Sequence, residues 1–523
     1  MRLSKLIGAL SEIETMLPGL LDPDISSITD DSREVKPGDL FVAVVGRTTD
    51  GHYHIEQAVA NGAAAVIAER MDSAPADSVP YIVTRNSRVA LATLAAAFCG
   101  FPAHNLRVIG VTGTDGKTTT ATFIRGILTA AGYQSSMVTS LGAHIGNEVY
   151  DIGRNFTTPR PFELQKYLAR MVERGDAYAI LEASSQGLDQ GRVLSCDFDV
   201  AVMTNITHDH FDYHGTKEAY RDAKAQLFHG LLENSQRKRN ALKVSVLNRD
   251  DPAFTHLDGI RADVTVTYGL SRMADFTAVH LSQSALGTHF KAETPQGPID
   301  VEIALLGDYH VENALAAMAA CYTQGISLED MARGIASIKR VTARLERVDC
   351  NRNFGIYVDY AHTPNALKRV LHFARCLTTN RVILLTGEYG RRDKSKRAIM
   401  GEIAGMFADK VVITADNYWC EEDVGIIMGQ LASGCKKAGR RDGVDYWCIP
   451  DRRAGIRFAI GLAAAGDTVI IAGKGHEKSL VSAGEVYPWN EFDAVREALE
   501  LAHQSPVTQY PYTMRNRGRG DVG

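Results

Sequence analysis

Short apolar runs alternate with segments of helical periodicity along most of this chain. Parallel strands joined by helices produce such an alternation, because helices cover both faces of their sheet and the strands are buried throughout. We therefore expect an α/β fold built on parallel sheets. The principal predicted strands are 39–46, 63–69, 107–113, 178–184, 200–206, 244–248, 354–361, 381–387, 410–416 and 467–473.

Length and one change of pattern divide the chain into three predicted domains. Its 523 residues are more than one hydrophobic core usually covers. Residues 264–303 alternate apolar and polar side chains, which predicts antiparallel strands, and helices are predicted over 312–322 and 328–338. The predicted domains are 1–105, 106–339 and 340–503, followed by a flexible tail over 504–523.

Composition excludes several classes of protein. The 57 Lys and Arg residues against 62 Asp and Glu give a net charge of −5, which provides no basic surface for nucleic acid or an anionic membrane. No apolar stretch is long enough to cross a bilayer, and the N-terminus lacks the features of a secretion signal. The eight cysteines are scattered without a CxxC pair, as reduced thiols are. We expect a cytoplasmic protein.

The segment GVTGTDGKTTT (110–120) follows a predicted strand and leads into a predicted helix. Its glycines allow backbone N–H groups to surround an anion, and the start of the helix adds a favourable dipole. Lys117 would reach terminal phosphates and the Thr118 hydroxyl would bind Mg²⁺. The segment departs from the G-x₄-GK spacing because Gly110 lies one residue too early, so a plain glycine-rich turn is the alternative. We interpret it as a nucleotide-phosphate site.

Carboxylates and histidines follow two later predicted strands. Glu182 ends one strand, and Asp209, His210 and His214 follow another. Ligands of open α/β sheets bind at these carboxyl ends. Mg²⁺ prefers oxygen ligands, which favours Glu182 over His210. Asp209 and His214 could equally be loop residues with satisfied hydrogen bonds.

Lys224 lies on a largely apolar helix face, four residues from both Tyr220 and Phe228. A buried ammonium group is unfavourable unless it is paired or neutralised. The pattern alone therefore favours a lysine whose stem is buried and whose amino group reaches solvent.

Taken together, these motifs resemble the Mur ligases, ATP-dependent amide-forming enzymes of peptidoglycan synthesis. Segments 31–46 and 155–159 are similar to the uridine-binding domain and the muramoyl-peptide loop of members that add the third amino acid. The resemblance implies three domains, with a P-loop mononucleotide-binding parallel sheet in the centre and a Rossmann-like domain at the C-terminus. The other matching segments are EASSQGLDQGR (182–192), TNITHDHFDYHG (204–215), VDYAHTPNAL (358–367) and IAGKGHE (471–477).

The resemblance implies ATP and Mg²⁺ as cofactors. The resemblance also implies that Lys224 is carbamylated, which would convert a cation into an anionic oxygen ligand. This reverses the interpretation of Lys224 as a lysine whose amino group reaches solvent. The implied Mg²⁺ ligands are Thr118, Glu182, His210 and carbamylated Lys224, and Lys117, Glu182, His210 and Lys224 are the implied catalytic residues. The implied ATP contacts are Gly113, Thr114, Asp115, Gly116, Lys117, Thr118, Thr119, Asn313, Arg344, Asp359 and His362.

The implied partners are a UDP-muramoyl-dipeptide and a diamino acid, bound by a monomer with no nucleic-acid or membrane partner. The substrate carboxylate would attack the ATP γ-phosphate, and the amine would then attack the resulting acyl phosphate. The implied contacts of the UDP-substrate are Ser32, Thr157, Thr158, Ser184, Gln190 and Arg192, and those of the amino acid are Arg392, Asp416, Asn417, Gly473 and Glu477.

The chain departs from the family pattern in the implied amino-acid pocket. Members that add meso-diaminopimelate carry Asp-Asn-Pro-Arg where this chain has Asp416-Asn417-Tyr418-Trp419. Trp419 cannot form a charge-assisted pair with the distal carboxylate, so we expect another amino acid or a clamp built from Arg391 or Arg392. Smaller departures are Asp115, Gln186 and His310. The alternatives are a folylpolyglutamate synthetase-like ligase and a non-catalytic homologue that acts as a binding module.

Overall fold

The computed structural model describes residues 1–17, 22–47, 49–71, 79–153, 156–232, 238, 241–284, 287–390, 392–417, 422–482 and 484–501. The predicted tail over 504–523, together with Arg391, Tyr418 and Trp419, lies outside the described residues. Three consecutive parts of the chain form separate mainly parallel sheets, which confirms the predicted α/β class. None of the described helices is both long and apolar enough to span a membrane.

The first unit contains a five-stranded sheet in the order β1-β5-β4-β3-β2. Its strands pair in parallel except for β1, which is antiparallel to β5. The central strands carry buried apolar residues on both faces, because helices pack on each side. The elements are α1 (Leu3–Ile7), β1 (Thr15–Leu17), β2 (Ser27–Thr29), β3 (Asp39–Val42), a 3₁₀ turn (Gly51–His54), α2 (Ile55–Ala60), β4 (Ala65–Ala68), β5 (Tyr81–Val83) and α3 (Ser87–Phe98).

The second unit contains an eight-stranded sheet in the order β13-β12-β11-β6-β10-β7-β8-β9 and a separate antiparallel sheet of β14, β15 and β16. Strand β6 lies between β10 and β11, so the chain crosses from one side of β6 to the other, and the loop after β6 opens at this switch point. The elements are a 3₁₀ turn (Pro102–Asn105), β6 (Arg107–Thr112), α4 (Lys117–Ala130), β7 (Ser135–Thr139), β8 (Gly142–Ile145), β9 (Glu148–Tyr150), α5 (Pro161–Arg174), β10 (Tyr178–Glu182), α6 (Ser185–Asp189), β11 (Val200–Met203), α7 (Phe211–His214), α8 (Lys217–His229), β12 (Val244–Asn248), α9 (Phe254–Asp258), β13 (Val264–Tyr268), β14 (Thr277–Ser284), β15 (Gly287–Thr294), β16 (Gly297–Ile303), α10 (Tyr309–Tyr322) and α11 (Leu328–Ser337).

The predicted antiparallel region over 264–303 is wrong at its start. Strand β13 pairs in parallel with β12 at the edge of the large sheet, and the antiparallel strands begin at Thr277. An edge strand has one neighbour and is partly exposed, so it shows the same apolar–polar alternation as an antiparallel strand. The short strands β7, β8 and β9, which extend the other edge of this sheet, were not predicted from the sequence.

The third unit contains a six-stranded sheet in the order β17-β18-β22-β19-β20-β21, parallel except for β17. Helices cover both faces, and a two-stranded hairpin, β23-β24, precedes the last described helix. The elements are β17 (Glu346–Val348), β18 (Gly355–Val358), α12 (Pro364–Leu377), β19 (Val382–Glu388), α13 (Ser395–Phe407), β20 (Lys410–Ala415), α14 (Val424–Lys437), β21 (Tyr446–Ile449), α15 (Arg452–Gly461), β22 (Thr468–Ile471), β23 (Ser479–Ser482), β24 (Glu485–Pro488) and α16 (Glu491–Leu501).

Candidate active site

A cavity of about 690 Å³ lies between the second and third units. Its walls contain residues that follow β6, β10 and β11 of the second unit, and residues that follow β18, β19 and β22 of the third. The predicted site residues that line it are Gly113, Thr114, Asp115, Gly116, Lys117, Thr118, Thr119, Thr157, Glu182, Ser184, Arg192, His210, Lys224, Asn313, Arg344, Asp359, His362, Arg392 and Glu477.

The phosphate loop joins β6 to α4 and requires its two glycines. Gly113 and Gly116 have φ angles of +146° and +86°. A Cβ atom would lie 1.8 Å from Thr204 Oγ1 at the first position and 2.2 Å from Asn313 Oδ1 at the second, so neither position has room for a side chain. Lys117 Nζ donates hydrogen bonds to the carbonyl oxygens of Gly113 and Thr114 at 3.1 and 2.9 Å. The loop thus offers a close backbone approach and a cation to a phosphate group.

An oxygen-rich corner lies beside this loop. The Thr118 hydroxyl donates to Glu182 Oε2 at 2.9 Å, and the same carboxylate oxygen accepts from the Ser140 backbone N–H at 3.0 Å. Glu182 is buried at the end of β10, and its other oxygen lies 3.9 Å from Lys117 Nζ. A hydroxyl and a carboxylate at this distance are a suitable donor set for Mg²⁺.

The sequence pattern alone suggested that the amino group of Lys224 reaches solvent, and the structure shows that it does not. It is 1% exposed, and its Nζ donates to the Gly113 carbonyl oxygen at 2.6 Å and lies 4.4 Å from the Tyr220 ring centroid. Within the described residues no carboxylate oxygen lies within 4.0 Å of this nitrogen. Burial, reinforced by the positive charge of Lys117, lowers the pKa of Lys224 well below its ordinary value. Burial therefore favours the neutral amine form of this side chain behind the phosphate loop.

Asp209 connects the second unit to the third. Its Oδ2 lies 3.3 Å from His210 Nε2 and 3.8 Å from His362 Nε2, and its Oδ1 lies 3.6 Å from Lys396 Nζ. Although burial opposes it, the neighbouring His210 and the charge of Lys396 hold the pKa of Asp209 below its ordinary value. Burial lowers the pKa of His210 to about 4, so its ring is neutral at pH 7. His362 Nδ1 lies 2.7 Å from the Tyr360 carbonyl oxygen, which fixes the proton on that nitrogen.

On the side of α10, Asn313 contacts the phosphate loop. Asn313 Oδ1 accepts from the Thr120 hydroxyl at 3.4 Å, and its Nδ2 lies 3.5 Å from His310 Nδ1. His310 is fully buried, burial lowers its pKa to about 3, and its Nε2 has no hydrogen-bond partner in the described part of the chain. The neighbouring Glu312 forms a two-pronged ion pair with Arg369 of α12, at 2.7 and 3.4 Å.

The phosphate loop is bonded directly to the third unit. The Asp115 carboxylate accepts from the Thr363 hydroxyl at 3.1 Å and from Asn365 Nδ2 at 3.1 Å, both at the start of α12. Arg344 Nη2 donates to Thr118 Oγ1 at 3.2 Å. Asp359 accepts two backbone N–H groups, and burial raises its pKa to about 6. The arrangement is a closed one, in which third-unit side chains reach the phosphate site.

The residues implied for the UDP-substrate fall into two groups. Thr157, Ser184 and Arg192 line the cavity. Thr158 and Gln190 lie behind them, since Arg192 donates to the Thr158 carbonyl oxygen at 2.8 Å and to Gln190 Oε1 at 3.0 Å. Ser32 belongs to the first unit and does not line the cavity; its hydroxyl donates to Gln57 Oε1 at 2.9 Å.

In the implied amino-acid pocket, Arg392 and Glu477 line the cavity, whereas Asp416, Asn417 and Gly473 lie behind them. Asn417 Nδ2 donates to Glu477 Oε2 at 3.1 Å, and Lys474 Nζ donates to the same oxygen at 2.9 Å. Asp416 Oδ1 lies 3.6 Å from Lys474 Nζ. A Cβ atom on Gly473 would lie 3.0 Å from Asp416 Oδ2.

Sequence reasoning missed several residues of this region. Lys474 lies within the matched segment IAGKGHE but was given no role. Lys396, which follows the two arginines at 391–392, was given no role either. Tyr389, whose hydroxyl donates to Glu477 Oε1, carried no signal at all. A single tyrosine after a strand belongs to no recognisable spacing, and its contact depends on a residue 88 positions away.

Comparison with known protein families gives matches in all three units. Residues 24–99 match the catalytic domain of the Mur ligase family, residues 111–321 match the Mur ligase middle domain, and residues 343–475 match the Mur ligase glutamate ligase domain.

Individual proteins match over nearly the whole chain. UDP-N-acetylmuramoyl-L-alanyl-D-glutamate–2,6-diaminopimelate ligase of Geobacillus kaustophilus is 41% identical over 479 residues, 92% of this chain and 96% of that protein. UDP-N-acetylmuramyl-tripeptide synthetase of a Roseiflexus species is 39% identical over 506 residues, 95% of this chain and 99% of that protein. A solved structure of a UDP-N-acetylmuramoyl-L-alanyl-D-glutamate–2,6-diaminopimelate ligase superposes with a TM-score of 0.61 at 32% identity, covering 92% of this chain and 96% of that one.

Proposed function

The chain belongs to the Mur ligase family, and on that premise we propose the reaction that its cavity carries out. It is an ATP-dependent ligase that adds a diamino acid, as the third residue of the peptide, to UDP-N-acetylmuramoyl-L-alanyl-D-glutamate in peptidoglycan synthesis. The observation that carries this function is one cavity that joins the phosphate loop, the buried amine of Lys224 and the charged pair Arg392 and Glu477.

We assign the first step to the second unit. The terminal carboxylate of the UDP-substrate attacks the γ-phosphorus of ATP, the bond to the β-phosphate oxygen breaks, and an acyl phosphate and ADP result. Lys117 and Arg344 place positive charge at the phosphate loop, and charge at the transferring phosphoryl group acts mainly by positioning and electrostatics. Thr118, Glu182 and His210 would hold Mg²⁺, which when bound supplies further positive charge to the phosphoryl oxygens.

We propose that Lys224 is carbamylated. A neutral amine can add dissolved CO₂: its nitrogen bonds to the carbon, one proton leaves to water, and an anionic carbamate remains. The low pKa of Lys224 supports this step, because the charged ammonium form has no electron pair to donate. The carbamate would add negative charge next to Gly113, where no carboxylate oxygen of the described residues lies within 4.0 Å of the Lys224 nitrogen.

In the second step the amine of the incoming amino acid attacks the acyl phosphate and phosphate leaves. We propose 2,6-diaminopimelate as that amino acid, because relatives at 41% identity are named for it. L-Lysine is the second candidate, favoured by Trp419 in place of an arginine. Arg392, which faces the cavity, is a cation that could bind a carboxylate of either amino acid.

We further propose which domain binds which substrate. Residues 1–105, including Ser32, bind the uridine end of the substrate, 106–339 bind ATP, and 340–503 bind the amino acid. The match of residues 24–99 favours this scheme over a folylpolyglutamate synthetase-like ligase, which would not need the first domain. We propose a monomer that acts in the cytoplasm, where ATP and UDP-linked sugars are available, without nucleic-acid or membrane partners.

Phosphate release tests the proposal. Purified protein with ATP and Mg²⁺ is given the UDP-muramoyl-dipeptide, an amino acid (meso-diaminopimelate, L-lysine or L-ornithine), or both. We expect sustained release only with both substrates present, together with an amide product identified by mass spectrometry. Release that needs no dipeptide, or that occurs with a folate in its place, would contradict the proposed function. Acceptance of diaminopimelate alone would support that amino acid and reject L-lysine, the candidate that Trp419 favours.

A further inference from the structure

Tyr389 connects the two charged groups of the amino-acid pocket that line the cavity. It directly follows the last strand residue of β19, is 4% exposed, and its hydroxyl donates to Glu477 Oε1. Its ring lies under the guanidinium group of Arg392, with Arg392 Cζ 4.4 Å from the ring centroid. One side chain therefore contacts both the carboxylate and the guanidinium that face the cavity.

The two charged groups depend on Tyr389 to different degrees. Glu477 has further donors, because its Oε2 accepts from Asn417 and Lys474 at 3.1 and 2.9 Å. Arg392, by contrast, has no carboxylate oxygen within 4.0 Å in the part of the chain that the structure describes. The cation–π contact with Tyr389 is then what holds its guanidinium group, and a flat aromatic face leaves the N–H edges free for a ligand.

Tyr389 is itself held rigidly. Its carbonyl oxygen accepts from Arg397 Nη2 at 2.7 Å, and Arg397 is fully buried and paired with Glu422. The next residue, Gly390, donates its backbone N–H to the Asn417 carbonyl oxygen at 2.7 Å. The loop that carries Tyr389 is thus fixed from α13 and from the loop after β20, so the ring is a fixed support for its two partners.

We propose that Tyr389 is a positioning and specificity-determining residue of the amino-acid pocket. It holds Glu477 and Arg392 at a fixed separation, so that together they receive a zwitterion, with the ammonium group at the carboxylate and the carboxylate at the guanidinium. This inference rests on the proposed function and adds its selection rule: the incoming molecule must carry a carboxylate beside an amino group. An amine that lacks the carboxylate leaves the half-buried guanidinium without an anionic partner and binds more weakly.

The test compares Tyr389→Phe, Tyr389→Leu and Tyr446→Phe by steady-state kinetics for all three substrates. Phe keeps the ring beneath Arg392 but removes the hydrogen bond to Glu477, and we expect the amino-acid KM to rise about 10-fold, as for one lost hydrogen bond to a charged group. Leu removes both contacts, and we expect a rise of about 100-fold. The KM values for ATP and the UDP-substrate should stay within about twofold of wild type in both variants, because we assign both substrates to other residues.

Tyr446→Phe is the matched control, since Tyr446 is an equally buried tyrosine of the same sheet, on β21, and does not line the cavity. We expect its kinetics to equal those of wild type. A second readout is the preference for the accepted amino acid over an analogue lacking one carboxylate: L-lysine for diaminopimelate, or cadaverine for L-lysine. This preference falls about 10-fold or more in Tyr389→Leu.

The outcomes separate the inference from the function on which it rests. An unchanged amino-acid KM in Tyr389→Phe and Tyr389→Leu, or an equal rise of all three KM values, overturns the role of Tyr389 while the ligase activity stands. A wild-type protein that joins no amino acid to the dipeptide overturns the proposed function and this inference together. Tyr389→Phe keeps the shape of the side chain, so it tests the hydrogen bond even where Tyr389→Leu fails to fold.

Discussion

Two lysines buried in the units on either side of the cavity have opposite surroundings. Lys396 of the third unit has its Nζ 3.5 Å from Glu388 Oε2 and 3.6 Å from Asp209 Oδ1. Lys224 of the second unit has a backbone carbonyl and an aromatic ring instead, with no carboxylate within 4.0 Å among the described residues. Both are 1% exposed, so the difference lies in the charges nearby and not in the depth of burial.

The pKa values of the two lysines move in opposite directions. Burial lowers the pKa of Lys224 well below its ordinary value. Burial acts on Lys396 as well, but Glu388 and Asp209 outweigh it and raise the pKa of Lys396. Lys396 thus has its counter-charges in place, Glu388 from the third unit and Asp209 from the second. Lys224 of the second unit has no such carboxylate within 4.0 Å among the described residues, beside the loop that we propose binds phosphate.

The largest effect is expected from Lys224→Arg. Arginine stays charged at all accessible pH values and cannot form a carbamate, so it places a permanent cation behind the phosphate loop. We expect kcat for phosphate release to fall about 1,000-fold, in the range seen for loss of one group that stabilises developing charge. Lys217→Arg, an exposed substitution on the same helix, should leave kcat unchanged. A Lys224→Arg enzyme with near-normal turnover would show that the amine has no chemical role.

Lys396→Met should chiefly affect the stability of the third unit. The substitution leaves the buried Glu388 without its cation, and breaking a buried pair typically costs about 3 kcal/mol or more. All three tryptophans occur in the third predicted domain, so tryptophan fluorescence during urea unfolding reports on that unit. Arg397→Met is unsuitable as a control because it breaks another buried pair; Lys394→Met, mostly exposed on the same segment, is suitable.

The effect of Lys396→Met should depend on pH. Burial raises the pKa of Glu388 from 4.5 to about 7 in the folded protein. The folded state therefore holds a proton that the unfolded chain releases, and stability falls as pH rises from 4.5 towards 7. Without Lys396 this pKa rises further, so the loss of stability relative to wild type is largest above pH 7 and shrinks as pH falls below it. Equal losses on both sides of pH 7 would show that Glu388 is not the residue left uncompensated.

The same contrast explains what the sequence could predict. The phosphate loop was predictable because its strand, glycines, lysine and helix are contiguous, so local spacing contains the geometry. The proposed amino-acid pocket depends on β19 and β22 lying side by side, with Leu385 opposite Ile471. Residues that are neighbours in a sheet but far apart in the chain leave no periodic signal, and Tyr389 and Lys474 therefore received no role.

Lys224 shows a different limit of prediction. Its helical spacing from Tyr220 placed it on an apolar face, which the structure confirms by burying both residues. Periodicity cannot distinguish an amino group that extends to solvent from one that turns inward, since both start from the same face of α8. The Gly113 carbonyl oxygen, which accepts from Lys224 Nζ, decides between them and belongs to the loop after β6, 111 residues away.

A smaller effect on turnover is expected from Arg344→Ala. Arg344 connects the second unit to the third. Its Nη2 donates to Thr118 Oγ1 at 3.2 Å, and its Cζ lies 5.0 Å from the Tyr360 ring centroid. We expect kcat to fall about 10- to 100-fold, while the KM for the UDP-substrate changes less than threefold, since a contact used in closure acts on turnover. The exposed Arg340→Ala serves as the control. Equal losses in turnover and in UDP-substrate affinity would contradict a role in closure.

The smallest effect is expected in stability, from Lys224→Met, and its sign is unusual for a substitution in a site. With its pKa lowered by burial, folded Lys224 is neutral at a pH where the unfolded chain, with a lysine pKa of 10.5, binds a proton. Wild-type stability therefore rises with pH up to 10.5, and removing the amine removes that dependence. We expect Lys224→Met to be more stable than wild type by about 1 kcal/mol at neutral pH, by calorimetry in CO₂-free buffer, with the difference shrinking as pH rises.

The Gly113 carbonyl oxygen keeps Lys117 as a donor, so the substitution leaves no buried acceptor unpaired. Lys217→Met on the exposed face should show no such pH dependence. A Lys224→Met protein that is less stable than wild type across this range would mean that the amine is satisfied where it lies, and the contrast with Lys396 would fail.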